Sequence, residues 1–190
     1  MERLKAFDQA LFLEFHSYRS SFWDVVMVTI SNKFVWLPFY VVLIVLLVYF
    51  YKRRGWLMVL CLGAAVGLAD YISSGILKPY FARLRPCHDQ LLNGVVDAID
   101  GCGGRFGFVS SHAANAFAVA IFVYMLLPHR QWHLKGVLLV WAVAISYSRV
   151  YLGVHYPGDV LAGALLGIGA AHLALVADRQ IHKRFPFWQK

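Results

Sequence analysis

Charged residues are scarce in this chain: of its 190 residues only 15% are Asp, Glu, Lys or Arg, whereas 60% are hydrophobic. An ordinary soluble domain has about a quarter of its residues charged and about half apolar. The shortage of charge therefore excludes a typical soluble domain. We also find no low-complexity tract and no internal repeat. A cleavable signal peptide is not expected, because Glu2, Lys5 and Asp8 interrupt any early apolar core.

Long apolar runs fill most of the chain instead. A helix that crosses a bilayer needs about 20 consecutive, mostly apolar residues. Stretches of this kind lie near residues 34–51, 56–77, 110–128, 136–152 and 159–177. We therefore predict an all-α, polytopic transmembrane helix bundle of five to six spans, forming a single domain whose catalytic bundle covers residues 34–177.

Residues 1–33 follow a different pattern. Leu4, Phe7, Leu11 and Phe15 recur at helical spacing with polar residues between them. This pattern predicts an amphipathic helix that lies on the membrane surface. Residues 21–31 are too short to span alone, so they either dip into the membrane or join the next segment as a sixth, broken span.

The net charge of +8 has a topological explanation. Basic residues follow the first, third and last predicted spans, at Lys52, Arg53 and Arg54, at Arg130 and Lys135, and in a basic tail over residues 178–190 that includes Lys190. The positive-inside rule places these segments in the cytoplasm. We therefore expect a multi-pass inner-membrane protein with the bilayer, and no nucleic acid, as its partner. Residues 78–109 and 153–158 would face the periplasm or exterior.

Three polar clusters share that outer face: residues 78–86, 109–112 and 148–159. Together they supply cations, hydroxyls, imidazoles and a carboxylate, which suits phosphate chemistry. Arg binds phosphate oxygens with a planar fork and Lys as a point charge. His155 could attack phosphorus while Asp159 holds its other nitrogen. His112 could protonate the leaving oxygen.

The motifs Lys78-x6-Arg85-Pro86, Ser110-x-His112 and Ser148-Arg149-x5-His155-x3-Asp159 together resemble the signature of the type 2 phosphatidic acid phosphatase (PAP2) superfamily. The resemblance covers about residues 33–177 and points to the branch of small integral membrane lipid phosphatases. It implies a phosphohistidine intermediate on His155, oriented by Asp159. It also implies His112 as the acid and then the base, and a reaction without metal ion or cofactor.

The resemblance further implies a set of phosphate-binding residues, namely Lys78, Arg85, Ser110, Ser111 and Arg149. One of these departs from the family pattern, because Ser111 stands where the family commonly has a glycine whose backbone approaches the phosphate. The chemistry expected of the remaining motif residues does not depend on this position.

The leading functional prediction is a membrane lipid phosphatase that hydrolyses a phosphomonoester or pyrophosphate of a lipid. Undecaprenyl pyrophosphate is the favoured substrate, and phosphatidylglycerol phosphate, phosphatidate and a lipid A phosphate are the alternatives. A non-catalytic transporter or an anion-binding scaffold is the alternative function. A third hypothesis is a metal-dependent hydrolase with His112, His155 and Asp159 as ligands.

Two cysteines and several loop charges lie beside the predicted site. Cys87 and Cys102 could form a disulfide in an oxidising compartment, and the alternative is two unpaired thiols. The loop residues His88, Asp89, Asp97 and Asp100 are interpreted as solvated charges.

Three features within the predicted spans have no catalytic assignment. Asp70 is a carboxylate deep in a span, and it marks either a functional route or a structural hydrogen bond. The patterns Gly63-x-x-x-Gly67 and Gly163-x-x-x-Gly167 predict close helix packing.

Overall fold

The computed structural model describes residues 2–92, 94–96, 98–185 and 187, so the predicted charges at Asp97 and Lys190 lie outside it. Within that range the fold is all-helical, and the only extended pairing is an isolated bridge between Leu84 and Phe106. The helices are α1 (Glu2–Ser17), α2 (Ser21–Ser31), α3 (Leu37–Tyr51), α4 (Arg53–Asp70), α5 (Lys78–Phe81), α6 (Ser111–Leu126), α7 (Trp132–Tyr151) and α8 (Pro157–Arg184).

Each predicted apolar run forms a helix, which confirms the predicted membrane bundle. Helix α4 continues into α5 through a π-helical segment, Tyr71–Leu77, and this rod of 29 residues is long and apolar enough to cross a bilayer. The segments His129–Tyr151 and Pro157–Arg184 are also long enough, whereas α3 and α6 are apolar but shorter.

Two boundaries differ from the prediction. The expected basic loop at residues 52–54 is reduced to Lys52, whose positive φ of 53° turns the chain directly from α3 into α4. A close antiparallel return is possible because Gly55 lies against the backbone of Leu47 and Val48. At the other end, α8 continues through Arg184, so the predicted tail begins inside this helix.

Helix α6 is central, in contact with α4, α7 and α8. Along α8, Gly163 and Gly167 face the α6 backbone so closely that a Cβ atom would collide with the carbonyl oxygens of Ser110 and Ala114. We call this α6–α8 contact the closed seam. The prediction of close packing therefore describes this glycine pair well.

The other glycine pair does not pack in this way. Gly63 and Gly67 on α4 are exposed, and a Cβ atom at either position would have no neighbour within 4 Å among the described residues. Their side of α4 is open, so the prediction of helix packing is wrong for this pair within the folded chain.

The N-terminal helix docks across the C-terminal end of α7 and the N-terminal end of α8. Phe12 is fully buried there, with its ring 5.4 Å from that of Tyr156, while Leu4 and Phe7 remain exposed. Helix α2 is a separate helix that ends at the buried Ser31, and it packs on α7.

Candidate active site

The loop after α5 is folded back onto itself over the bundle. Arg85 N–H donates to the carbonyl of Arg105 (3.2 Å), and Gly107 N–H donates to the carbonyl of Arg83 (2.8 Å). A disulfide joins Cys87 to Cys102, with their Cα atoms 6.0 Å apart. These contacts fix Arg85 and Gly107 beside the N-terminal end of α8.

His155 lies two residues before α8 and Asp159 lies in its first turn, and both are almost completely buried. The imidazole Nδ1 lies 3.5 Å from Asp159 Oδ2, and it makes no hydrogen bond within the described part of the chain. Asp159 Oδ2 accepts instead from the backbone N–H of Tyr156 (3.0 Å), which caps the first turn of α8. The carboxylate is thus fixed in place on the Nδ1 side of the imidazole.

Arg83 holds the other oxygen of that carboxylate. Its Nη1 donates to Asp159 Oδ1 (2.8 Å), its Nη2 donates to Asp8 Oδ2 (2.7 Å), and its guanidinium lies 4.3 Å from the centre of the Tyr156 ring. Asp8 comes from α1 and also accepts from the backbone N–H of Gly158 (2.7 Å). A carboxylate at a helix N-terminus is favourable because the unpaired N–H groups carry partial positive charge. An ion-paired link therefore runs from the N-terminal helix to Asp159.

The sequence analysis gave Arg83 and Asp8 no role in the site. Arg83 lies within the first polar cluster, two residues before Arg85, and this placement was the available signal for it. Asp8 offered no such signal, since a polar residue on an amphipathic helix is ordinarily solvated.

Arg85 and Arg149 are oriented by separate anchors. Arg85 donates through Nη1 to the carbonyl of Cys102 (2.7 Å) and through Nε to that of Phe106 (3.2 Å). Arg149 donates to the Ser31 hydroxyl on α2. Each guanidinium has five N–H donors, so both keep donors for an anion.

Gly107 brings the loop against these groups. A Cβ atom at this position would lie 2.9 Å from Asp159 Oδ2, 3.3 Å from Arg85 Cγ and 3.6 Å from His155 Nδ1. A side chain would crowd the centre of the site, so Gly107 permits a close approach of backbone to the imidazole. The sequence analysis did not identify this role.

Lys78 is the first residue of α5 and contacts the first residue of α6. We call the contact between the α4–α5 rod and α6 the open seam, and Lys78 lies at the end of it nearest His155. Its Nζ donates to Ser111 Oγ (2.6 Å) and Ser74 Oγ (3.3 Å). Ser73 also donates to Ser111 Oγ (2.9 Å), and Ser74 Oγ lies at the same distance. The hydroxyl of Ser111 is thus the centre of a polar cluster, and the glycine common in the family could not provide it.

The remaining two predicted residues lie at the start of α6. Ser110 is fully buried and caps this helix, with its Oγ accepting from Ala113 N–H at 3.5 Å. Its backbone N–H donates to the carbonyl of Asp159 (2.9 Å), which joins the N-termini of α6 and α8. His112 is close enough to Arg149, His155 and Lys78 to interact with each electrostatically.

The surroundings set the charge state of His155. Burial lowers its pKa well below 6.5, and the positive charges of Arg85, Arg149 and Lys78 lower it further. Burial also lowers the pKa of Arg85, while Asp159 opposes that shift. The imidazole is therefore neutral at pH 7 and carries a nitrogen lone pair.

The structure thus brings the predicted residues to one end of the bundle: His112, His155, Asp159, Lys78, Arg85, Ser110, Ser111 and Arg149. A buried neutral imidazole next to several cations can bind an anion and attack an electrophilic centre in it. Across the described residues, no group of three or more His, Cys, Asp or Glu side chains is arranged to hold a metal ion.

Comparison with known proteins identifies relatives of this arrangement. The family model for the PAP2 superfamily matches residues 55–183. A lipid A 4'-phosphatase of Bacteroides thetaiotaomicron is 39% identical over 173 residues, which cover 88% of this chain and 75% of that protein. An undecaprenyl-diphosphatase of Sulfolobus acidocaldarius is 30% identical over 146 residues, covering 76% of this chain and 64% of that protein.

A solved structure is similar over nearly the whole chain. The crystal structure of a PAP2-type phosphatidylglycerolphosphate phosphatase from Bacillus subtilis superimposes with a TM-score of 0.71 at 27% identity. The match covers 95% of this chain and 89% of that chain. The similarity therefore extends over almost the entire helix bundle and its connections.

Proposed function

The chain belongs to the PAP2 superfamily as a membrane lipid phosphatase, and we propose that it works through a phosphohistidine intermediate on His155. The observation that supports this most strongly is the position of His155. Its imidazole is buried and neutral, it has a fixed carboxylate on its Nδ1 side, and Arg85, Arg149 and Lys78 are its electrostatic neighbours.

In the first step, Nε2 of neutral His155 attacks the phosphorus, and an N–P bond forms as the bond from phosphorus to the leaving oxygen breaks. Asp159 accepts a hydrogen bond from Nδ1–H and stabilises the positive charge that develops on the ring. The present separation of 3.5 Å shortens on substrate binding, as catalytic hydrogen bonds commonly do. His112, protonated when the anionic phosphate is bound beside it, donates that proton to the leaving oxygen, so the alcohol or lipid phosphate departs neutral at that atom.

In the second step, His112 removes a proton from water, and the water oxygen attacks the phosphorus of phosphohistidine. The N–P bond breaks, inorganic phosphate leaves, and both imidazoles return to their starting states. Lys78, Arg85 and Arg149 neutralise the charge on the transferring phosphoryl group, since positioning and charge stabilisation supply most of the catalysis of such transfers. Unpaired N–H groups at the start of α6 and the hydroxyls of Ser110 and Ser111 add donors.

We assign Arg83 to positioning. It contacts Asp159, and Asp159 acts on His155, so Arg83 affects the nucleophile through the carboxylate that it holds. Asp8 fixes the second half of the same guanidinium.

The site is proposed to face the periplasm or exterior of an inner membrane. The basic residues at the opposite helix ends support this side through the positive-inside rule. The Cys87–Cys102 disulfide supports it as well, because disulfides persist in oxidising compartments.

For the substrate we propose a lipid phosphomonoester, with lipid A phosphate first. The lipid A 4'-phosphatase from Bacteroides thetaiotaomicron supports this choice, with 39% identity over 88% of the chain. Undecaprenyl pyrophosphate, which the sequence analysis favoured, is the second candidate. It is supported by the 30% identity to the Sulfolobus acidocaldarius protein.

Phosphate release from purified lipid phosphates in detergent tests the proposal. We expect the wild-type chain to release phosphate with and without EDTA, vanadate to inhibit it, and His155→Asn to reduce turnover at least about 1000-fold while folding normally. His172→Asn, at an exposed position on α8, is the matched control and should retain turnover. Undiminished turnover by His155→Asn would refute the nucleophile, and loss of activity with EDTA would favour a metal-dependent mechanism.

A further inference from the structure

A polar pair lies on the open seam below the proposed phosphate site. Asp70 is the last residue of α4, within the spanning segment Arg53–Phe81. It precedes Lys78 by eight residues, which places it about 12 Å further along the rod. Its Oδ1 accepts from Asn115 Nδ2 on α6 at 3.3 Å. Asp70 is exposed and Asn115 is half-buried.

The pair has more acceptors than the fold uses. Asn115 Oδ1 is buried and accepts no hydrogen bond from any described residue, and the carboxylate of Asp70 is exposed. Ionisable side chains at membrane depth ordinarily face a polar path or a partner, because hydrocarbon solvates charge poorly. The hydrogen bond between the two side chains therefore leaves Asn115 Oδ1 without a donor among the described residues, and it leaves the Asp70 carboxylate exposed beside it.

The position of the pair relates it to the reaction centre. Asp70 bonds to Asn115, and one turn further along the two antiparallel helices Ser74 bonds to Ser111. Lys78 lies one turn beyond Ser74 and also bonds to Ser111. On α6, Asn115 is three residues after His112, so the two lie on neighbouring positions of one helix face. A leaving group that takes a proton from His112 would lie along this face.

We propose that Asp70 and Asn115 form a subsite that accepts hydrogen bonds from hydroxyl groups of the lipid head group beside the scissile phosphate. The assignment rests on the proposed function and names its substrate class: a phosphomonoester on a sugar or glycerol head group. Asn115 Oδ1 and the exposed Asp70 carboxylate are acceptors, so they select for donors. A polyprenyl phosphate or pyrophosphate carries no such donor next to its phosphate.

The test compares three phosphomonoesters in mixed micelles with the full-length chain. Lipid A phosphate and phosphatidylglycerol phosphate carry hydroxyls near the phosphate, whereas phosphatidate does not. We expect wild-type kcat/KM to be higher for the first two. Asn115→Leu and the nearly isosteric Asp70→Asn should each lower kcat/KM for them by about 10- to 100-fold, the range of hydrogen bonds to polar and charged groups. Activity on phosphatidate should change less than about threefold.

Ser146→Ala is the matched control, because Ser146 is a buried residue on α7 whose hydroxyl donates within its own helix, to the carbonyl of Ala142, and has no other partner in the part of the chain that the structure describes. It should change none of the activities. If Asn115→Leu does not fold, Asp70→Asn decides the question alone. Equal losses on all three lipids, or a wild-type preference for phosphatidate, would overturn the subsite and leave the phosphatase assignment intact. No phosphate release from any lipid by the wild-type chain would instead refute the proposed function.

Discussion

The two seams of helix α6 have opposite character. On the closed seam, Gly163 and Gly167 bring α8 into backbone contact with α6. On the open seam, the polar groups of Ser111 and Asn115 face the α4–α5 rod. Gly63 and Gly67 on α4 are exposed, and a Cβ atom at either position would have no neighbour within 4 Å among the described residues.

The two helix contacts therefore contribute differently to the site. The closed seam fixes the relative position of α6 and α8, which carry His112 and Asp159, and the N-termini of these helices are joined by the Ser110–Asp159 backbone hydrogen bond. The open seam carries polar groups from Lys78 down into the membrane. The rigid contact thus fixes His112 and Asp159 relative to each other, and the open seam carries the polar pair that we propose as a head-group subsite.

The largest expected effect concerns the outer end of the closed seam. Arg83→Leu leaves the buried carboxylate of Asp159 without its ion-pair partner, and such losses cost about 3–5 kcal/mol. We also expect kcat to fall about 100-fold with KM nearly unchanged, since Asp159 acts on the nucleophile. Arg83→Lys should recover part of kcat. Steady-state kinetics and thermal unfolding in detergent measure both effects.

The control for this pair of variants is Arg130→Leu, because Arg130 is exposed and distant from the site in the chain. A change in KM alone after Arg83→Leu would place Arg83 among the substrate-binding residues and contradict the positioning role.

The next largest effect is on stability, and it compares a glycine substitution on α8 with one on α4. Gly167→Ala forces a Cβ atom into the carbonyl of Ala114 and to within 2.9 Å of Ala118 N. It should cost about 3 kcal/mol, the upper end of the range for overpacked cores. Gly67→Ala meets open space and should gain up to about 1 kcal/mol from helix propensity.

Maleimide labelling of the buried Cys61 thiol during heating measures the unfolding of both variants. Equal destabilisation by the two substitutions would show that the seams do not differ in packing.

The smallest expected effect is a pH dependence of folding stability that arises from His155, next to the start of α8. Folding lowers the pKa of His155, whereas in the unfolded chain this histidine takes up a proton near its ordinary pKa of 6.5. Unfolding therefore binds a proton below pH 6.5, and stability falls as pH decreases, by at most about 1.4 kcal/mol per pH unit.

Because His155→Asn cannot bind this proton, the variant should gain stability relative to wild type between pH 7 and pH 5 in phosphate-free detergent. His172→Asn, at an exposed site on α8, should show no such gain. A constant difference between wild type and His155→Asn across this range would contradict the burial of a neutral imidazole.

Much of the fold was predictable because hydrophobic run length determines which segments enter a bilayer. The order of the motifs also predicted that Lys78, His112 and His155 would lie at one end, since alternate helix ends share a membrane face. The predicted helix ends were less accurate, because α4 begins at Arg53 and α8 ends at Arg184, beyond the apolar runs.

Contacts that depend on tertiary docking were not predictable. The Asp8–Arg83 ion pair spans 75 positions in sequence and forms only after α1 docks. The two Gly-x-x-x-Gly patterns are identical in spacing, yet only the pair on α8 faces another backbone. Asp70 was recognisable as unusual, but its partner Asn115 is 45 residues away.

The most direct test of the account is to trap the phosphorylated intermediate. The chain is mixed briefly with lipid substrate labelled in the scissile phosphate, denatured in alkali and analysed by peptide mass spectrometry. We predict an alkali-stable, acid-labile phosphoryl group on His155 that is absent from His155→Asn. A phosphoryl group on any other residue, or none during active turnover, would contradict the proposed mechanism.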